Sequence, residues 1–140
     1  YDPRARTKSK RGKVRQEMVL NLDLAPTLLD FAMIKEKPPM DGRSIKSLLL
    51  GNEDNVWRED FLCEHLFEHK KIPKSEGVRS KNWKYIRYFE QDPIYEELYD
   101  LKNDPHERDS LSEDPNYLEK LNSMRERCDK LLIDIRKGIK

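Results

Sequence analysis

Residues 65 to 69 of this 140-residue chain read His-Leu-Phe-Glu-His. H-x-x-E-H is the spacing used by one class of zinc peptidase, in which two imidazoles hold the metal and a carboxylate activates its water. That chemistry needs a helix, because positions i and i+4 on one helical face bring both imidazoles to a single ion. In an extended strand His65 and His69 would point the same way but lie about 13 Å apart. Two ligands at about 2.0 Å each cannot span that gap. A third ligand must also come from another element. Glu119, Glu126 and His106 are available, as such residues are in any acidic chain.

The flanking residues favour strand over helix. A helix would group Phe61, Leu62, His65 and Leu66. A strand would put Phe61, Cys63, His65 and Phe67 on one side, and Leu62, Glu64, Leu66 and Glu68 on the other. The run ends at Pro73, which disfavours a helical Ile72. Beyond it, "EGVRS" and "WKYIRYF" read as a hairpin about the turn "SKN", and "IYEELYDL" as another short strand. The segment from Glu64 therefore reads as the end of a strand followed by a loop.

Helices flank this β-rich region. "NLDLAPTLLDFAMI" predicts a helix from about Leu24 to Met33, with Asp23 as N-cap and Pro26 in the first turn. "RSIKSLLLG" reads as a short helix with Ser44 as cap and Gly51 after its end. "HERDSL" is expected to form one helical turn. Asp114 and Pro115 open a long last helix, with Gly138 as its stop. Leu118, Leu121, Met124, Cys128, Leu131, Leu132 and Ile135 form its apolar stripe. The fold class expected is α+β: a small antiparallel sheet of about four strands packed by the long C-terminal helix, preceded by one or two helices.

Composition sets limits. The chain is 39% charged and 36% hydrophobic, with a mean hydropathy of -0.98, so its core should be modest. A net charge of +1 gives no general case for nucleic acid. Arg4 to Arg15 holds seven basic residues and no acidic one, a candidate polyanion patch, yet no aromatic is interleaved to stack on bases. No apolar run approaches the roughly 20 residues of a membrane span. The start at Tyr1 suggests a piece of a longer chain. Cys63 and Cys128 form no C-x-x-C, and two buried free thiols are the expectation, with a disulfide as the alternative in an exported protein.

Three stretches, in order, resemble the C-terminal part of the sulfatase family within the alkaline-phosphatase superfamily. They are "MVLNLDLAPTLLDFAMI" with "PPMDGRSIKSLLLG", "EGVRSKNWKYIRYFE", and "EELYDLKNDPHERDSL"; "YDPRA" at the start adds a fourth likeness. Ser110 departs from the asparagine usual there. The resemblance implies a division into a basic flexible segment (residues 1–17), a helical linker joining an absent large domain (18–56) and a C-terminal α+β subdomain (57–140). It implies calcium and a formylglycine for the parent. Neither Cys63 nor Cys128 lies in the C-x-[PS]-x-R context that yields formylglycine, so none of the catalytic residues can be placed here and the chain alone should be inactive.

In the family the first strand and following loop shape the substrate pocket. Glu64, His65, His69, Lys70 and Lys71 are accordingly the candidate contacts to a sulfated carbohydrate or other sulfate ester. The resemblance also implies a periplasmic or secreted parent. Apolar residues of the Leu24–Met33 helix, exposed without the large domain, would favour oligomerisation. Three other readings stay open: a related phosphonate or phosphate-ester hydrolase, a non-catalytic polyanion-binding module, and the zinc peptidase.

Overall fold

The structure, a computed structural model, describes residues 14–36, 38–51 and 56–138. The basic stretch from Arg4 to Lys13 lies outside them. The chain divides into two compact units, Tyr1–Arg58 and Glu59–Lys140.

The first unit is organised around Asp23. A 3₁₀ turn, Asn21–Asp23, runs into α1, Leu24–Phe31, and a second helix, α2, spans Lys46–Leu50. Asp23 does not cap α1 through its side chain as the sequence suggested. Its carboxylate is wholly buried and accepts the backbone N–H of Leu20 at 2.8 Å and of Arg43 at 2.7 Å. Both guanidinium nitrogens of Arg58 also bond it. Thr27 Oγ1 donates to the Asp23 carbonyl at 2.5 Å and accepts the Ile45 N–H at 3.0 Å, tying α1 to the approach to α2. Gly42 is required by proximity, since a Cβ there would sit 1.9 Å from the Leu22 carbonyl oxygen.

α1 is two residues shorter than predicted. Ile34 N–H bonds the Leu29 carbonyl and Met33 N–H the Asp30 carbonyl, with Met33 left-handed at φ 59°. This is the ending usually marked by glycine, and a methionine gave no such signal. Leu24 and Leu28 are exposed on α1. Gly51 ends α2 in the left-handed conformation at φ 78°, as expected.

The second unit is a four-stranded antiparallel meander: β1 Asp60–His65, β2 Ser75–Ser80, β3 Trp83–Tyr88 and β4 Tyr95–Asp100, in spatial order β1-β2-β3-β4. Asp114 accepts the Asn116 N–H at 2.9 Å, Pro115 follows, and α3 then runs Leu118–Gly138. The register puts three rows of side chains under α3. The middle row, Leu62, Val78, Tyr85 and Leu98, meets Leu121, Met124, Cys128 and Leu132 to form the core. Leu118 and Ile135, the ends of the predicted stripe, are exposed because the sheet is narrower than the helix is long.

Charged groups fill the row beside the core. Arg87 bonds Glu76 at 2.6 Å and Asp129 of α3 at 2.7 Å. Arg125 of α3 grips Glu96, which also accepts the buried Tyr85 hydroxyl at 2.5 Å. Arg127 holds Asp60 through both oxygens, at 2.6 and 2.7 Å. Arginine forks of this kind fix the rotation of α3 on the sheet more than they add stability.

The predicted helical turn at "HERDSL" does not form. Asp104 Oδ2 takes the N–H groups of Arg108 at 2.6 Å and Asp109 at 3.0 Å, and Glu107 is left-handed at φ 55°. These local bonds replace the helical ones. The segment instead covers the outer edge of β4: Ser110 Oγ accepts the Leu98 N–H at 3.2 Å, and Leu111 N–H reaches the Leu98 carbonyl at 2.8 Å.

Candidate functional site

β1 ends at His65, and residues 66–68 are irregular. A tight turn follows, in which Ile72 N–H bonds the His69 carbonyl at 3.3 Å and Lys71 N–H bonds His69 Nδ1 at 3.2 Å. Pro73 then has no N–H to continue any ladder. Lys74 secures the base of the loop, reaching Glu68 at 3.4 Å and Glu90 at 2.9 Å. Its hydrogen bond to Glu90, then that to Glu68, raises its pKa. Sequence reasoning missed Lys74, because Glu90 lies 16 residues away.

This turn brings three of the candidates together. His69, Lys70 and Lys71 are all exposed at its tip, and the two lysines make no ion pair among the described residues. His69, Lys70, Pro73 and Lys74 border an open cavity of ≈ 480 Å³ together with the carboxylates of Glu68 and Glu90, which Lys74 pairs; Lys71 lies outside its lining. Two ammonium groups and an imidazole facing solvent are donors suited to an anionic, hydroxyl-bearing ligand.

Glu64 and His65 are not part of that cluster. Glu64 pairs with Glu76, on the side of the sheet that α3 covers. His65 pairs with Ser75, on the other side. The five candidates thus fall into three places, the turn and the two faces of β1.

The same geometry removes the basis of the zinc reading. His65 closes a strand and His69 sits in a turn, so no helical face joins them. Among the described residues no group of three or more His, Cys, Asp or Glu could hold a metal ion. The calcium implied by the family resemblance finds no ligand set among these residues. Cys63 is free and exposed, not buried as expected, because it points away from α3. Cys128 is free and buried, and burial pushes its thiol up to about 11, which keeps it inert. No helix of the described residues is long and apolar enough to cross a membrane.

Comparison with known proteins places this geometry in context. Residues 4–134 match the family described as N-sulphoglucosamine sulphohydrolase, C-terminal. An arylsulfatase of Clostridium perfringens is 31% identical over 125 residues, which is 89% of this chain and 25% of that protein. A Delta 4,5-hexuronate-2-O-sulfatase of Bacteroides thetaiotaomicron is 36% identical over 97 residues, 69% of this chain and 20% of that one. The solved structure of BT4656 in complex with its substrate D-glucosamine-2-N,6-O-disulfate superposes with a TM-score of 0.67 at 26% identity, over 77% of this chain and 22% of that one. The chain spans about a quarter of the length of the curated relatives it matches.

Proposed function

The chain belongs to the N-sulphoglucosamine sulphohydrolase C-terminal family, and from that premise we propose that its parent hydrolyses sulfate esters of a sulfated carbohydrate. It is a sulfatase C-terminal region. A periplasmic or secreted parent belongs to the same proposal and is supported by the family resemblance alone. The observation that carries the proposal is the exposed turn at His69, Lys70 and Lys71, beside an open cavity and joined directly to β1. Relatives whose names specify sulfated sugars, the hexuronate-2-O-sulfatase and BT4656, support carbohydrate as the substrate class.

In this reading Lys70 and Lys71 contribute positive charge to a sulfated or carboxylated sugar, and His69 a hydrogen bond to a hydroxyl. None of them takes part in bond breaking. Neither Cys63, in "LCEHL", nor Cys128, in "RCDKL", fits the C-x-[PS]-x-R context of a formylglycine. The chemical step belongs to the rest of the parent. Its coding sequence upstream of Tyr1 should contain C-x-[PS]-x-R and an Asp-rich metal-binding strand. A complete upstream sequence with neither would overturn the proposal.

A further inference from the structure

Lys70 and Lys71 occupy the two central places of a four-residue turn, and the residue before them shapes it. The turn runs His69-Lys70-Lys71-Ile72 and is closed by the Ile72 N–H on the His69 carbonyl at 3.3 Å. His69 and Ile72 form an isolated antiparallel bridge. Asparagine, aspartate and serine favour the first place of such a turn, because their side chains accept the N–H two residues on. His69 does the same with an imidazole: the Lys71 N–H donates to Nδ1 at 3.2 Å. The β1–β2 ladder has already ended at His65 and Ser75, and Pro73 has no N–H to extend it. The conformation of the tip therefore leans on this one side chain.

An imidazole accepts at Nδ1 only while that nitrogen keeps its lone pair. The bond thus requires a neutral ring with its proton on Nε2. That leaves Nε2–H as the donor for a substrate hydroxyl. A second proton on the ring makes Nδ1 a donor facing the Lys71 N–H, and the bond is lost. It also places an imidazolium in the same turn as two ammonium groups. The other charged groups bordering the turn are Lys74, Glu68 and Glu90, and Lys74 pairs both carboxylates. Carboxylates and ammonium groups keep their charge between pH 8 and about pH 5.5, the range in which an imidazole changes its own. His65, at the end of β1, does not line the cavity at this turn.

We propose that His69 is a positioning residue: its neutral Nδ1 holds Lys70 and Lys71 in the conformation that meets substrate, and substrate affinity falls as the ring takes up a proton. The inference rests on the reading of this turn as the substrate contact. Coulomb attraction alone gives the opposite sign, since a third positive charge would tighten the hold on an anionic sugar.

The test uses the intact parent, with the wild type compared with two variants. His69→Asn keeps an acceptor for the Lys71 N–H and does not titrate; His69→Ala removes the acceptor. The probe is the saccharide that the parent desulfates fastest among N-, 2-O- and 6-O-sulfated glucosamine and hexuronate sugars. The ratio of wild-type KM to His69→Asn KM cancels titrations elsewhere in the parent. That ratio is expected to rise about fourfold from pH 8 to about pH 5.5, the size of one lost exposed hydrogen bond. At pH 8 the KM of His69→Asn should lie about fivefold below that of His69→Ala. A ratio that stays flat or falls on acidification overturns the proposal, as do equal KM values for the two variants. Nitrogen-15 spectra of the histidine-labelled parent read the tautomer without any ligand, with the His69 signals assigned by their absence from His69→Asn. A protonated Nε2 and a bare Nδ1 are expected at pH 8, and a proton on Nδ1 overturns the proposal. Sulfate release from none of the saccharides overturns the functional reading instead, and the tautomer then still decides the turn.

Discussion

Glu64 and His65 are adjacent in sequence and lie on opposite faces of one strand, Glu64 opposite Glu76 and His65 opposite Ser75. They cannot serve a single ligand. Substrate contact is proposed instead for the turn beyond them, where Lys70 and Lys71 are exposed. Replacing both lysines with alanine in the intact enzyme is predicted to raise KM about tenfold, with kcat within about twofold, because the lost charges act on bound substrate and transition state alike. Glu64→Gln should leave both constants unchanged. Steady-state kinetics on a sulfated sugar check this, and an unchanged KM in the double variant would return the turn to a merely solvated role.

Asp23 makes the first unit sensitive to acid. Burial alone would raise its pKa, but the hydrogen bond from Arg58 and the N–H groups of Arg43 and Leu20 override burial and hold it at about 2. The unfolded value is near 3.8. The carboxylate therefore stabilises the fold fully above about pH 4, and that contribution is lost as pH falls toward 2. It amounts to about 2 kcal/mol. Urea unfolding from pH 5 to pH 2 should show the loss in wild type, and a much flatter profile in Asp23→Asn, which is itself less stable by about 3–5 kcal/mol near neutrality.

Gly77 is held by the close approach of β3. A Cβ there would lie 2.1 Å from the Tyr85 carbonyl oxygen, a backbone atom that cannot swing away. Gly77→Ala is predicted to destabilise the second unit by about 1–3 kcal/mol. Equal denaturation midpoints for the variant and wild type would show that β2 and β3 can separate without penalty.

Ser110 stands where the family usually has asparagine, and its Oγ does the local work. It takes the Leu98 N–H on the outer edge of β4. Ser110→Ala should cost about 1 kcal/mol, whereas Ser110→Asn, which keeps an acceptor, should cost much less. The same chemical denaturation measures both.

The parts of this fold that could be read in advance are those encoded locally. "WKYIRYF" alternates with period two and became β3, and the apolar spacing of the last helix named its four buried residues. The period of two also implied that Glu64 and His65 would part company, although both were grouped as contacts to one substrate. The role of Asp23 was hidden because its partner, Arg58, lies 35 residues away. The ending of α1 was hidden because methionine occupies the left-handed position. Cys63 was expected to be a buried thiol for want of any cysteine motif, but it is exposed, because which face α3 covers is decided by the register of four strands together.

The central claim is that the intact polypeptide cleaves sulfate esters of sugars. Release of inorganic sulfate from a panel of N-, 2-O- and 6-O-sulfated glucosamine and hexuronate saccharides, measured beside phosphate release from an aryl phosphate, tests it most directly. Sulfate release from at least one saccharide is expected, at a rate well above any phosphate release. Sulfate release from none of them, or turnover of the aryl phosphate alone, would contradict it.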